Sequence, residues 1–110
     1  MENNLDSLIQ YIAEKHKFNG DKYPEIQDAS REEILRFAIK HSALHYAKTA
    51  GKIAATSEDT DHGEEADFES LKINVAKSLI NTLRLAELLG MDEKELVGKI
   101  TKILDNPVNG

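Results

Sequence analysis

Apolar residues recur along this chain at intervals of three and four, with little strand-like alternation, so the pattern predicts an all-helical fold. A first helix over residues 4–17 sets Leu5, Leu8, Ile9 and Ile12 along one face. The stretch "FNGDKYPEIQDA" interrupts it, since Gly20 suits a helix stop and Pro24 steers Tyr23 away from helical angles. Ser30 then opens a second helix, with Glu33 at capping-box spacing and Glu32 and Glu33 at the positive end of the helix dipole.

From there the chain runs to about Thr56 without a breaker. Leu35, Ile39, Ala43, Tyr46, Ala50 and Ile53 make a seam at helical spacing, predicted to face the core. Gly51 interrupts that helix at a cost of about 1 kcal/mol relative to alanine, so a close approach by a helix or ligand is expected there. Residues 57–67, "SEDTDHGEEAD", are acidic and polar and read as an exposed connection. Aligned on Gly63, a calcium loop would put Thr60 and His62 where oxygen ligands belong and Glu65 where a hydrophobe belongs, so a solvated loop is expected instead.

A second long helix fits residues 68–90, capped by Asp67. It is apolar over most of its circumference, which predicts a place in the middle of a bundle or at a subunit interface. Its polar remainder, Asn74, Lys77, Asn81 and Arg84, lies in a single line at spacings of three, four and three. Gly90 ends the helix, Asp92 caps a short final one packing Leu96, Val97, Ile100, Ile103 and Leu104, and the tail 105–110 should fray. The expected architecture is a bundle of about four helices, two of them long, with its core over residues 30–104 and completed by oligomerisation.

Length and charge narrow the classes. At 110 residues the chain is one domain at most, and so short a chain gains from burying more surface by self-association. No apolar run reaches the roughly 18 residues of a spanning helix, and no basic segment precedes the first apolar positions, so neither a membrane nor a secretory signal is expected. The absence of cysteine excludes thiolate chemistry and suits a reducing cytoplasm. A net charge of −6 argues against non-specific nucleic-acid binding.

Two stretches resemble the MazG-like family of nucleoside triphosphate pyrophosphohydrolases. That family's first core helix reads approximately E-E-x-G-E-L-A-E-A, and "KTAGKIAA" (48–55) keeps the glycine, the apolar residue after the charge, and the alanine. The second reads approximately E-L-A-D-V-L-I-Y-L-L-R-L-A-E-x-L-G-[IM]-D, and "NVAKSLINTLRLAELLGMD" (74–92) follows it over most of its length. The resemblance covers about residues 33–104. It implies an all-α, oligomeric enzyme that holds magnesium against a triphosphate through two acidic motifs, E-x-x-E and E-x-x-D.

Carried over by position, those motifs fall on Thr49 and Lys52 and on Asn74 and Lys77. Four expected carboxylates become two neutral side chains and two ammonium groups, a swing of six charges. Magnesium needs oxygen ligands, and an ammonium repels a divalent ion by several kcal/mol at about 4 Å even at an effective dielectric of about 20. The expectation is therefore a member without magnesium-dependent catalysis, with no metal and no cofactor. It would bind a nucleotide or phosphate anion through Lys48, Thr49, Lys52, Asn74 and Lys77, with His41, His45, Asn81 and Arg84 as neighbours.

Three other readings compete. His41 and His45, four apart, can share a transition metal with Glu58 and Asp61 in an active phosphohydrolase. The polar lines can be plain solvated faces of an interaction module that binds a protein partner or itself. Acidic residues of the 57–67 connection can neutralise the lysines from within the chain.

Overall fold

The caps fall where the spacings put them. In a computed structural model describing residues 1–63, 65 and 67–106, helices α1 (Leu5–Lys15), α2 (Arg31–Asp61), α3 (Phe68–Leu88) and α4 (Glu93–Asp105) account for nearly all regular structure, and no strand occurs among the described residues. Glu64, Ala66 and the tail 107–110, where fraying was expected, lie outside the described residues. Ser30 and Glu33 form the reciprocal capping box of α2, Asp67 accepts from the Ser70 amide, and Asp92 from that of Glu95. Each satisfies an amide that lacks an intrahelical partner. Gly90, at φ +72°, takes the left-handed position after α3, and the Met91 amide returns to the Ala86 carbonyl at 2.8 Å.

Helix α2 runs five residues beyond Thr56, into what the polar composition marks as loop. The hydroxyls of Thr56, Ser57 and Thr60 donate to carbonyls one turn back, so these residues satisfy backbone acceptors within the helix. The chain leaves the helix only at Gly63, at φ +87°. The acidic residues Glu58, Asp59 and Asp61 are exposed on this last turn.

Helices α2 and α3 form the largest interhelical interface, and α1 packs on α3 through a core of Ile9, Ile12 and Leu83. Helix α4 has no buried residue. Its start is tied to that of α1 by a reciprocal pair of bonds, from the Leu5 amide to Glu93 Oε1 at 2.8 Å and from the Glu93 amide to Asp6 Oδ1 at 2.7 Å.

The buried face of α2 differs from the expected seam. Ala38, Ser42 and Thr49 are buried, while Leu35, Ala43, Tyr46 and Ala50 are exposed. These buried residues lie about a fifth of a turn from the seam. The reason is tertiary: α3 turns its polar line, not its apolar side, towards α2, and small side chains on α2 accommodate it.

The apolar sides consequently stay bare, with Phe68, Val75, Leu79, Val97, Ile100 and Leu104 all exposed. The accessible surface is 8283 Å². A compact monomer of this mass exposes about 6,100 Å². The radius of gyration, 16.7 Å, likewise exceeds the roughly 13 Å of a compact chain of this length.

Gly51 meets nothing: a Cβ there would have no neighbour within 4 Å, so the expected close approach is absent. Gly51→Ala should therefore raise stability by about 1 kcal/mol. Thermal unfolding would register this as a midpoint several degrees higher, and a lower midpoint would mean that something packs on Gly51.

Candidate functional site

Where the polar line of α3 meets α2, the two helices enclose a cleft of about 490 Å³. From α2 come His41, His45, Lys48, Thr49 and Lys52, all within a narrow sector because their spacings follow the helical repeat. Lys77, Ile80, Asn81 and Arg84 come from α3. His16, just past the end of α1, and Lys22 and Tyr23 from the following connection close the third side.

The composition is one-sided. Five of the chain's 14 lysines and arginines and three of its four histidines line this cleft, and among the described residues no carboxylate does. In a chain with 20 acidic residues, that segregation makes a local cationic surface on an anionic protein.

Thr49 and Asn81 fix the register of α2 on α3. Asn81 Nδ2 donates to Thr49 Oγ1 at 3.2 Å, and that hydroxyl donates to the His45 carbonyl at 3.1 Å. Both residues are buried, so this short chain of bonds is shielded from water.

Arg84 is the most unusual member. It is only 8% exposed, its guanidinium lies 4.9 Å from the Phe18 ring centre, and its Nη2 has no hydrogen-bond partner among the described residues. None of the ion pairs formed among those residues includes it. The aromatic face stabilises the cation by about 1 kcal/mol, less than the 1–3 kcal/mol or more that a buried unsatisfied polar group costs.

Part of the cleft wall is an aromatic cluster. Tyr23 stacks on Phe18 at 5.3 Å and its Oη lies 3.5 Å from His41 Nε2; His41 in turn stacks on Phe37 and sits 4.6 Å, ring to ring, from His45. Burial, then the charges of His45, Arg84 and Lys22, hold His41 below the ordinary histidine value, with Glu25 opposing. Burial, then Arg84, Lys22 and His45, do the same to His16.

These directions fix a pH dependence. A histidine whose pKa is lower folded than unfolded favours the folded state most above 6.5, and that contribution is lost as pH falls from 6.5 through the lowered values. The urea midpoint should fall between pH 7.5 and 5.5, and His16→Gln with His41→Gln should flatten the fall. An equal fall in the double variant would remove these two side chains as its cause.

Of the positions singled out in the sequence, Lys48, Thr49, Lys52, Lys77, His41, His45, Asn81 and Arg84 all meet in the cleft. Asn74 does not: it is buried and lines no part of it. Asn74, Asn81 and Arg84 are also not a wet face, since all three are buried. His16, Lys22 and Tyr23 were not anticipated, because nothing in local spacing tells that the α1–α2 connection folds back over α2, and Ile80 of α3 reads as part of that helix's apolar side. The described acidic residues of the 57–67 stretch do not line the cleft, so they do not neutralise it.

The residues present do not fit the magnesium site that the family resemblance implies. Thr49 is engaged with Asn81, Lys52 and Lys77 offer no lone pair when charged, and Asn74 is elsewhere. Nor do His41 and His45 converge with Glu58 and Asp61, which stand at least 13 residues further along the same helix, about 20 Å away. Among the described residues, no three histidine, aspartate or glutamate side chains gather as metal ligands. No helix of the described residues is long and apolar enough to cross a membrane.

No family model matches the chain, and neither a curated protein nor a solved structure shows significant similarity to it.

Proposed function

We propose that this chain is a divergent MazG-like domain that has lost magnesium-dependent pyrophosphohydrolysis and binds a phosphate anion or nucleotide, without metal, in the cleft between α2 and α3. The single observation that carries this reading is the buried guanidinium of Arg84, unpaired among the described residues, in a cleft that Lys48, Lys52 and Lys77 rim and no described carboxylate enters. An ammonium is a point charge well suited to a phosphate oxygen, and arginine adds a planar fork of donors. Together they replace the electrostatic role that magnesium plays in the family this chain resembles.

The reading also takes the protein to be a cytoplasmic homo-oligomer, a dimer or a tetramer. Its support is the roughly 2,000 Å² of accessible surface in excess of a compact monomer, much of it contributed by apolar residues on α3 and α4. That excess is of the size a stable subunit interface buries. Val75→Lys with Leu79→Lys should shift the sedimentation coefficient to that of a monomer. A wild-type protein already monomeric at tens of micromolar would contradict this part.

The catalytic part is tested by incubating the protein with nucleoside triphosphates and magnesium and assaying diphosphate. None should be released. Release that disappears in Lys52→Glu or Arg84→Met would contradict the proposal and return the protein to the enzymes.

A further inference from the structure

Resting on the reading of this cleft as a metal-free anion site, we infer that its ligand is a chain of consecutive phosphoryl groups, recognised along its length by charge, with no base or sugar read. Three observations point this way.

Charged and titratable side chains stand at two levels of the cleft, with Lys48 between them on α2. The Asn81–Thr49 bond sets the register, so that Lys52, three residues on in α2, reaches the level of Lys77, four residues back in α3. At the other level His45, four residues back in α2, meets Arg84, three residues on in α3. Seven residues separate the levels on each helix, about 10 Å at the helical rise. A single tetrahedral phosphate engages one level at a time, whereas a row of phosphoryl groups engages both.

The charge count agrees. Five formal positive charges line the cleft. One phosphate brings roughly −1.5 to −2 at neutral pH, leaving most of that charge uncompensated. Each further phosphoryl group in a chain adds negative charge where a further lysine stands, and the buried Arg84 gains the partner it lacks.

Little is left to hold a base. A nucleobase is normally gripped by an open aromatic face or by free amide and carboxylate groups. Tyr23 is stacked on Phe18 and lies under the Lys22 ammonium at 5.6 Å, and His41 stands between Phe37 and His45. The Asn81 amide nitrogen already donates to Thr49, and no described carboxylate lines the cleft. The same chemistry occurs in inorganic polyphosphate and in the tail of a nucleotide. What this cleft can read is common to both.

Calorimetric titration in chelator with orthophosphate, inorganic triphosphate, ATP and GTP separates the cases. Inorganic triphosphate should bind at least thirty-fold more tightly than orthophosphate and at least as tightly as either nucleotide, and the two nucleotides should agree within threefold. Lys52→Gln with Lys77→Gln changes only exposed side chains, so the protein stays folded. It should erase most of the triphosphate's advantage while orthophosphate binding at the Arg84 level persists. A nucleotide ten-fold tighter than inorganic triphosphate, or orthophosphate as tight as triphosphate, would overturn the inference while leaving an anion site. Failure of all four anions to bind would overturn the anion-site reading itself, and this inference with it.

Discussion

Leu83→Ala should lower stability by about 3 kcal/mol, a large share of the roughly 5–15 kcal/mol that holds such a domain together. Leu83 is 1% exposed, the bulkiest fully buried side chain, and from the C-terminal part of α3 it packs in one core with Ile9 and Ile12 of α1. Truncation removes apolar contact and leaves a cavity that stiff neighbours fill only in part. Few other buried apolar side chains exist to share the loss. The thermal midpoint should drop by roughly 10–20 °C. Leu44→Ala, on α2 at a site 62% exposed, provides the contrast and should change it little. A Leu83→Ala loss below about 1 kcal/mol would mean that α1 does not pack against α3 as described.

Charge reversal in the cleft should have the other large effect. Lys52→Glu with Lys77→Glu takes the lining from five formal positive charges to one, and puts two carboxylates where the phosphate oxygens would sit. Each lost charged hydrogen bond is worth about 1.5–3 kcal/mol, and like-charge repulsion adds to it. Diphosphate affinity should fall at least a hundred-fold while the fold is retained, since both lysines are exposed. If the polar lines were only solvated faces of an interaction module, this double variant would leave ligand binding and every other property unchanged. Unchanged diphosphate affinity would therefore contradict the cleft.

What the sequence made legible is what is decided locally. Ser30 with Glu33, Asp67, Asp92 and Gly90 set helix ends through bonds to residues within a few positions, and spacing alone reveals such partners. Eight of the nine cleft residues on α2 and α3 were legible for a related reason, because helical repeat gathers them into one sector of each helix. What each helix buries was not. Leu35 and Tyr46 look like core by period, yet Ser42 and Thr49 are buried, since the choice between two faces of α2 rests on what α3 presents. Asn74, Asn81 and Arg84 look solvated by chemistry but lie inside. His16 and Lys22 reach the site only through the path of the α1–α2 connection, which Pro24 turns but no periodicity describes.

On the proposed function, that path also explains how an acidic protein would attract an acidic ligand. Its carboxylates are spread over the surface, while cations from three separate segments converge on one cleft, where low dielectric and shared orientation strengthen their field. Net charge alone would have argued against the ligand that the local arrangement favours. Anion binding should also draw the lowered values of His16 and His41 upward, so affinity should increase as pH falls from 8 towards 6. An affinity independent of pH over that range would show that neither imidazole senses the ligand.

The central claim is that phosphate is held by side-chain cations and not by magnesium. Thermal unfolding with inorganic diphosphate, once in magnesium and once in excess chelator, tests it most directly. At a hundred times its dissociation constant a ligand adds about 2.7 kcal/mol, which moves the midpoint of a domain this size by several degrees. The account predicts that the full shift survives the chelator and vanishes in Arg84→Met. A shift that appears only with magnesium, or none in either condition, would contradict it.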